Sequence, residues 1–138
     1  MRLRTLLLGA AVAATDAVSL PTPAFAWSGT IIPSETGSVR CDRGRMCLFY
    51  NSNQQGAKKS FGGKVHNFID YRFEGPGAGS GLTVKNNAAS ITNGTDNWVT
   101  VYFNSNYAGN RDWVHPYSYG RLRYTYNNNA SFDYSRPN

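Results

Sequence analysis

The chain has little of what catalytic and metal centres are built from. Two histidines, two cysteines and eight acidic residues are spread over 138 positions. His66 and His115 have no recognisable nucleophile partner, and neither stands at zinc-ligand spacing from a cysteine. Asp70, Glu74, Asp96, Asp112 and Asp133 form no motif of paired carboxylates. An enzyme is therefore the least supported class, and no cofactor is expected. No window carries a long helical period, there is no sustained Lys/Arg run, and no apolar stretch approaches the roughly 20 residues of a membrane-spanning helix. Neither nucleic acid nor a membrane is expected as a partner. The Gly-rich stretch at 74–81 lacks the Lys-Ser/Thr of a phosphate cradle, and Leu82 stands where a third glycine would be needed. Nor is it a nucleophile elbow, because Ser80 is flanked two residues away by Ala78 and Leu82. It reads as a connector.

What is present begins with an export pattern. Arg2 and Arg4 precede an apolar run at 6–14, and Ala24-Phe25-Ala26 is an A-x-A cleavage site. Residues 1–26 are expected to be a signal peptide and Trp27 the mature start, leaving one secreted domain of 112 residues. Loss of Arg2, Arg4 and Asp16 lowers the net charge from +6 to +5. The cations are scattered in short pairs, so they read as a positive surface rather than a nucleic-acid footprint. Cys41 and Cys47 flank a short Gly-containing turn. In an exported chain an even pair so placed is most simply a disulfide.

The strongest internal signal is a repeat. Phe49-Tyr50-Asn51-Ser52-Asn53 runs into Gly56, and Tyr102-Phe103-Asn104-Ser105-Asn106 runs into Gly109, at a constant offset of 53. A strand that enters Asn-Ser-Asn and closes on Gly reads as a hairpin, because Gly takes positive φ freely and Asn tolerates it. A second echo pairs Asn86-Asn87-Ala88-Ala89-Ser90-Ile91 with Asn127-Asn128-Asn129-Ala130-Ser131-Phe132, at an offset of 41. The second unit is thus 12 residues shorter inside, and the Gly-rich stretch is the obvious site of the extra length.

Between these marks the chain reads as short strands, because β-branched and aromatic residues dominate the apolar segments. Strands are expected at 46–50, 58–61 and 98–103, with Trp113-Val114 as a returning partner. Residues 65–73 fit either a strand or an irregular turn. Pro116 to Gly120 reads as a turn, and the alternation from Arg121 to Tyr126 as a further strand. Residues 27–40 form a Ser/Thr/Gly/Pro-rich arm, either an extended leader or a first short strand. Asn93-Gly94-Thr95 and Asn129-Ala130-Ser131 match the glycosylation pattern and are read as coincidence. The fold class is all-β.

Two strand–hairpin units, each ending in Asn-Asn-x-Ala-Ser-apolar, resemble a pair of βγ-crystallin Greek keys. The resemblance implies a sandwich of two motifs, at about 41–95 and 96–138. In each, a later serine bonds across the hairpin. Phe49, Gly56 and Ser90 match the first motif, and Tyr102, Tyr107, Gly109 and Ser131 the second. Gln54 replaces the usual hairpin aromatic, which implies a looser first fold-over.

The Cys pair just before Leu48-Phe49-Tyr50-Asn51, and the stretch from Val84 to Ile91, are similar to the Streptomyces metalloproteinase inhibitor family. That resemblance implies a secreted peptidase inhibitor, taken as a monomer, that offers a substrate-like loop to a secreted peptidase. Thermolysin-like enzymes look for a large apolar residue after the scissile bond, so Gly79, Ser80, Gly81, Leu82 and Val84 become the contact loop, with Tyr107 a weaker donor. The family's second disulfide is missing, so packing and turns must hold such a loop. Two alternatives accompany this reading. One is an antifungal, killer-toxin-like or wall-binding protein whose tyrosines, Tyr124 and Tyr126 among them, stack on sugars. The other is a degenerate calcium-binding βγ-crystallin with weak candidates Asn86, Asn87, Asn127 and Asn128, which supply none of the carboxylates a hard cation prefers.

Overall fold

Alternation in the apolar segments needs two faces to cover, and the chain resolves this with two packed sheets. The computed structural model describes residues 9–15, 17 and 27–138; the expected signal segment, residues 1–26, lies largely outside the described residues. Nine strands are present among the described residues: β1 (Gly29–Ile31), β2 (Ser34–Thr36), β3 (Met46–Phe49), β4 (Lys58–Phe61), β5 (Ser90–Asn93), β6 (Val99–Asn104), β7 (Ala108–Val114), β8 (Ser118–Arg121) and β9 (Ser131–Asp133). One sheet has the order β1-β7-β6-β9 and the other β2-β8-β5-β3-β4.

The order is that of two Greek keys that exchange a strand. β8 follows β6 and β7 in the chain yet pairs antiparallel with β5 of the first unit, Ser90 opposite Arg121. In return Val65, from the first unit, exchanges both backbone hydrogen bonds with Phe132 of β9 (3.1 and 3.0 Å). The exchange makes the halves interdependent, since neither sheet is complete within one motif. A near-twofold relation also runs through the Asn-Asn stretches. Asn86 N–H donates to Asn129 O, and Asn127 N–H donates to Ala88 O (2.8 and 2.9 Å).

The core lies between the sheets. Met46, Leu48, Phe68, Phe73, Val84, Ile91, Val99, Val101, Val114, Leu122 and Phe132 are buried there, with Phe61 in ring contact with Phe68 and Phe132. Each such side chain contributes about 1.5–3 kcal/mol by leaving water. β3 is buried on both sides because its alternate residues, Cys47 and Phe49, face a smaller cluster with Cys41. The Cys41–Cys47 disulfide is formed, and Arg40 lies over the Phe49 ring.

Two segments differ from expectation, and a third, residues 65–73, takes the irregular alternative of the two expected for it. The arm is neither a loose leader nor one strand: β1 pairs parallel with β7 and β2 antiparallel with β8, so it adds an edge to each sheet. Residues 118–121 are a strand where a turn was expected, and residues 124–127 are a turn where a strand was expected. The reason is Asp112. Its buried carboxylate accepts from the backbone N–H groups of Arg123, Tyr124 and Thr125 and from Thr125 Oγ1 (2.8–3.1 Å), which curls the chain just after Leu122 enters the core. Residues 65–73 become a bridge at Val65, a 3-10 turn (Phe68–Asp70) capped by Asn67, and a bridge from Arg72 to Thr83.

Candidate functional site

The repeated residues build matching hairpins. Asn53 and Gln54 stand at φ 59° and 57°, Asn106 and Tyr107 at 60° and 59°, and Gly56 and Gly109 follow at 80° and 91°. Left-handed backbone costs an L-residue about 1–2 kcal/mol, so something else must hold it. A serine supplies part of that hold in each half. Ser90 Oγ accepts from Gln54 N–H (3.0 Å) and donates to Asn51 O (2.6 Å). Ser131 Oγ accepts from Tyr107 N–H (3.1 Å) and donates to Asn104 O (2.7 Å). Tyr102 packs edge-on to Tyr107, and Phe49 lies fully buried beneath the first hairpin.

The first fold-over is not the looser one. Gln54 is buried, and its Nε2 donates to Ile91 O and Gly120 O (3.3 and 3.1 Å), tying the hairpin to the β5–β8 pair. Tyr107 in the second hairpin is only half-buried. An amide that satisfies two main-chain carbonyls, one of them buried, does what an aromatic does by packing.

The Gly-rich segment is a compact projection rather than a slack connector. Its ends are clamped, with Gly81 N–H donating to Phe73 O and Phe73 N–H to Leu82 O (both 2.9 Å). Inside it, Ser80 N–H donates to Gly77 O and Leu82 N–H to Gly79 O (3.3 and 3.0 Å). Its tip rests on the first hairpin through Ala57 N–H to Ala78 O (2.9 Å). Arg72 Nη1 donates to Gly81 O (3.0 Å). Gly79 lies so close to Tyr50 that a Cβ there would stand 2.2 Å from the ring, so only glycine fits. Beside it Lys59 pairs with Glu74.

Of the proposed contact residues, Leu82 is 46% exposed and Ser80 and Gly81 are exposed, while Gly79 faces Tyr50. Val84 is a correction. It is fully buried in the core with its N–H on Tyr71 O (2.8 Å), so the folded surface does not offer it. Nothing in the composition of the stretch marks Tyr50 and Arg72 as its supports; both act across a distance in sequence.

The Asn-Asn stretches serve turns. Asn86 and Asn127 take positive φ, Asn87 Nδ2 donates to Thr83 O and Lys85 O, and Asn128 Nδ2 donates to Tyr126 O. Lys85 places its ammonium on Ser105 Oγ (3.1 Å), so a cation already sits between the first of these loops and the second hairpin. No group of three or more His, Cys, Asp or Glu comes together among the described residues. Asn93 and Asn129, the two residues in a glycosylation pattern, are fully buried and hydrogen-bonded.

The family model for peptidase inhibitor family I36 matches residues 34–114. A solved structure described under the evolution of the eye lens βγ-crystallin domain fold is 17% identical, with a TM-score of 0.56, covering 77% of this chain and 98% of its own. The N-terminal domain of Protein S is 20% identical, with a TM-score of 0.51, covering 64% of this chain and 92% of its own. At those identities the likeness establishes the fold alone. No curated protein matches the chain.

Proposed function

We propose, from a chain that belongs to peptidase inhibitor family I36, that the inhibited enzyme is a secreted metallopeptidase of thermolysin-like specificity and that the 75–82 loop enters its cleft. Membership itself makes the protein a non-enzymatic peptidase inhibitor built on the βγ-crystallin fold. The chain acts outside the cell. The export pattern and the Cys41–Cys47 disulfide both support that placement.

One observation carries the loop assignment. Leu82 presents a large apolar side chain to solvent, while every backbone group around the Gly81–Leu82 bond has an intramolecular partner. Gly81 N–H and Leu82 O are held by Phe73, Leu82 N–H by Gly79, and Gly81 O by Arg72. A peptidase that grips Leu82 thus meets a peptide bond that is already ordered, so little entropy is lost on binding. Attack on the Gly81 carbonyl must first displace Arg72. After any cleavage the two new ends stay clamped to Phe73, which slows release. Hydrogen bonds here take the place of the missing second disulfide.

Stoichiometric inhibition of a thermolysin-like enzyme is the test. Wild-type chain should slow the enzyme, and prolonged incubation should yield a single cut before Leu82 by mass spectrometry. Leu82→Asp should weaken inhibition roughly 10–100-fold, the value of one large buried side chain, with the near-UV circular dichroism unchanged. A panel of metallo- and serine peptidases unaffected at large molar excess would overturn the target. Full inhibition by Leu82→Asp would overturn the loop.

A further inference from the structure

The surface is hollowed where the N-terminal arm meets β8 and the turn that follows it. A hollow of about 410 Å³ is lined by Pro33, Arg121, Leu122, Arg123 and Tyr126. It adjoins one of about 260 Å³ that shares Pro33 and Arg121 and reaches Glu35 and Tyr119. A third, of about 360 Å³, shares Arg123 and opens beside Tyr124 and Thr30. Together they make a groove that crosses the arm and β8 and ends at the turn held by Asp112.

We propose that this groove binds an acidic saccharide, a sugar ring carrying a carboxylate or phosphate. The charge is one-sided and uncommitted. The Arg121 guanidinium lies 4.5 Å from the centre of the Tyr126 ring, and among the described residues neither Arg121 nor Arg123 has a carboxylate partner. Among the described residues Glu35 is the single acid in the lining of the three hollows, and it accepts a hydrogen bond from Tyr119 (2.7 Å). A guanidinium fork suits a planar carboxylate or phosphate, and stacking on a ring leaves its edge donors free to point outward.

The groove is also built rather than incidental. Four hydrogen bonds to the buried Asp112 carboxylate fix residues 123–125, which sets Arg123 and the 45% exposed Tyr124 at the rim. A Cβ on Gly120 would stand 2.7 Å from Pro33 O, so the arm and β8 are in close register below. That support lowers the ordering cost of binding.

The geometry favours a sugar over an acidic peptide. A peptide lodged in a sheet groove draws its affinity from an unpaired strand edge. Here β8 is paired on both sides, with β2 and β5, and the one open edge at the groove, β2, is three residues long, too short to hold a peptide as an added strand. What it offers is side-chain surface: the exposed Tyr124 ring, the Pro33 ring and the outward edges of two guanidinium groups. These match flat C–H faces and acid groups, and the hollows are of sugar-ring size.

The test is calorimetry and amide-shift mapping on the purified chain at 0.15 M salt. The probes are a galacturonate trimer, mannose 6-phosphate, a neutral galactose trimer and a glutamate trimer. Binding of either acidic sugar, with shifts centred on residues 119–126, supports the proposal, and the stronger of the two identifies the acid group. Arg121→Gln and Arg123→Gln should each weaken that binding about tenfold, and Tyr124→Ala several-fold, while Lys64→Gln leaves it unchanged. Equal binding of the glutamate trimer would overturn it in favour of a peptide surface. No binding of either acidic sugar, or equal losses from Lys64→Gln, would overturn it outright. Because the readout is binding, the outcome is independent of whether the chain inhibits a peptidase.

Discussion

Ser90 and Ser131 make the same pair of hydrogen bonds at the same places in the two motifs, yet they should not be worth the same. In the first motif the serine takes the N–H of Gln54, which is buried, so Ser90→Ala leaves a donor that water cannot reach. An unsatisfied buried amide costs about 1–3 kcal/mol, and the lost bond to Asn51 O adds about 1. The left-handed Asn53–Gln54 pair also loses part of what holds it. We expect Ser90→Ala to cost about 2–4 kcal/mol. In the second motif Tyr107 is half-buried and Asn104 is exposed, so water can take over both bonds. Ser131→Ala should cost about 1–2 kcal/mol. Urea unfolding of both variants at a fixed temperature reads this directly, and at about 4–8 °C per kcal/mol the melting temperatures should separate clearly. The sites share no hydrogen-bond partner, so the double variant should be additive within about 0.5 kcal/mol. A Ser131→Ala loss equal to or larger than that of Ser90→Ala would refute the argument that burial of the accepted N–H sets the value of this bond.

Asp112→Ala removes the acceptor for four donors at the 122–127 turn and should cost about 3–5 kcal/mol. Asp112→Asn, which keeps one acceptor oxygen, should cost about 1–2, and an alanine variant within 1 kcal/mol of wild type would rule the cap out. Millimolar calcium should move the melting temperature by less than about 1 °C, because Lys85 already occupies Ser105 and the asparagine amides are spent on turns. Micromolar affinity by calorimetry would contradict this. Burial pushes up the phenols of Tyr102 and Tyr134, and the hydrogen bond to Glu35 pushes up that of Tyr119. A phenol raised in the folded state stabilises fully below the unfolded value near 10 and loses that contribution as pH climbs through the folded value. Phenolate absorbance at 295 nm should therefore lag that of the urea-unfolded chain, and coincident titration curves would disprove it.

Some of the fold is written locally and some is not. Strand β3 is a continuous apolar run and β6 alternates, β4 follows from the hairpin that turns the chain back, and a Cys pair six residues apart across a turn has little else to do in a chain with an export pattern. The glycines at 56 and 109 mark positive φ because no other residue takes it so cheaply. The arm was not legible as two strands. β1 and β2 are three residues each, drawn from a Ser/Thr/Gly/Pro stretch, and the edges of β7 and β8 specify them. Residues 121–126 misled for a related reason. Their alternation is genuine, but Asp112, eleven to thirteen positions upstream, takes their N–H groups before a strand partner can. Val84 misled because an apolar residue beside an exposed one looks alike whether it faces the core or solvent. At the loop, Leu82 is visible in the sequence as an apolar residue among glycines, whereas its support from Tyr50 and Arg72 arises only when β3 and the 72–83 bridge come together.

The two motifs differ most between the hairpin and the Asn-Asn stretch, where the Gly-rich loop and the 119–126 wall of the groove lie. In the first motif the chain leaves β4, makes its 3-10 turn and spends residues 72–83 folding back over β4 and the hairpin. In the second it goes directly from β7 through β8 into the turn held by Asp112. The hairpins and serines leave no comparable freedom, since their φ values, their buried bonds and the strand exchange constrain each other across both sheets. A crossing anchored at both ends by such locks can change length and side chains without disturbing them. In this fold, then, the least repeated segments are the ones left free to vary at the surface. The Gly-rich loop displays Leu82 because Phe73 clamps it at its base, and the arginine groove stays open because one carboxylate holds its rim.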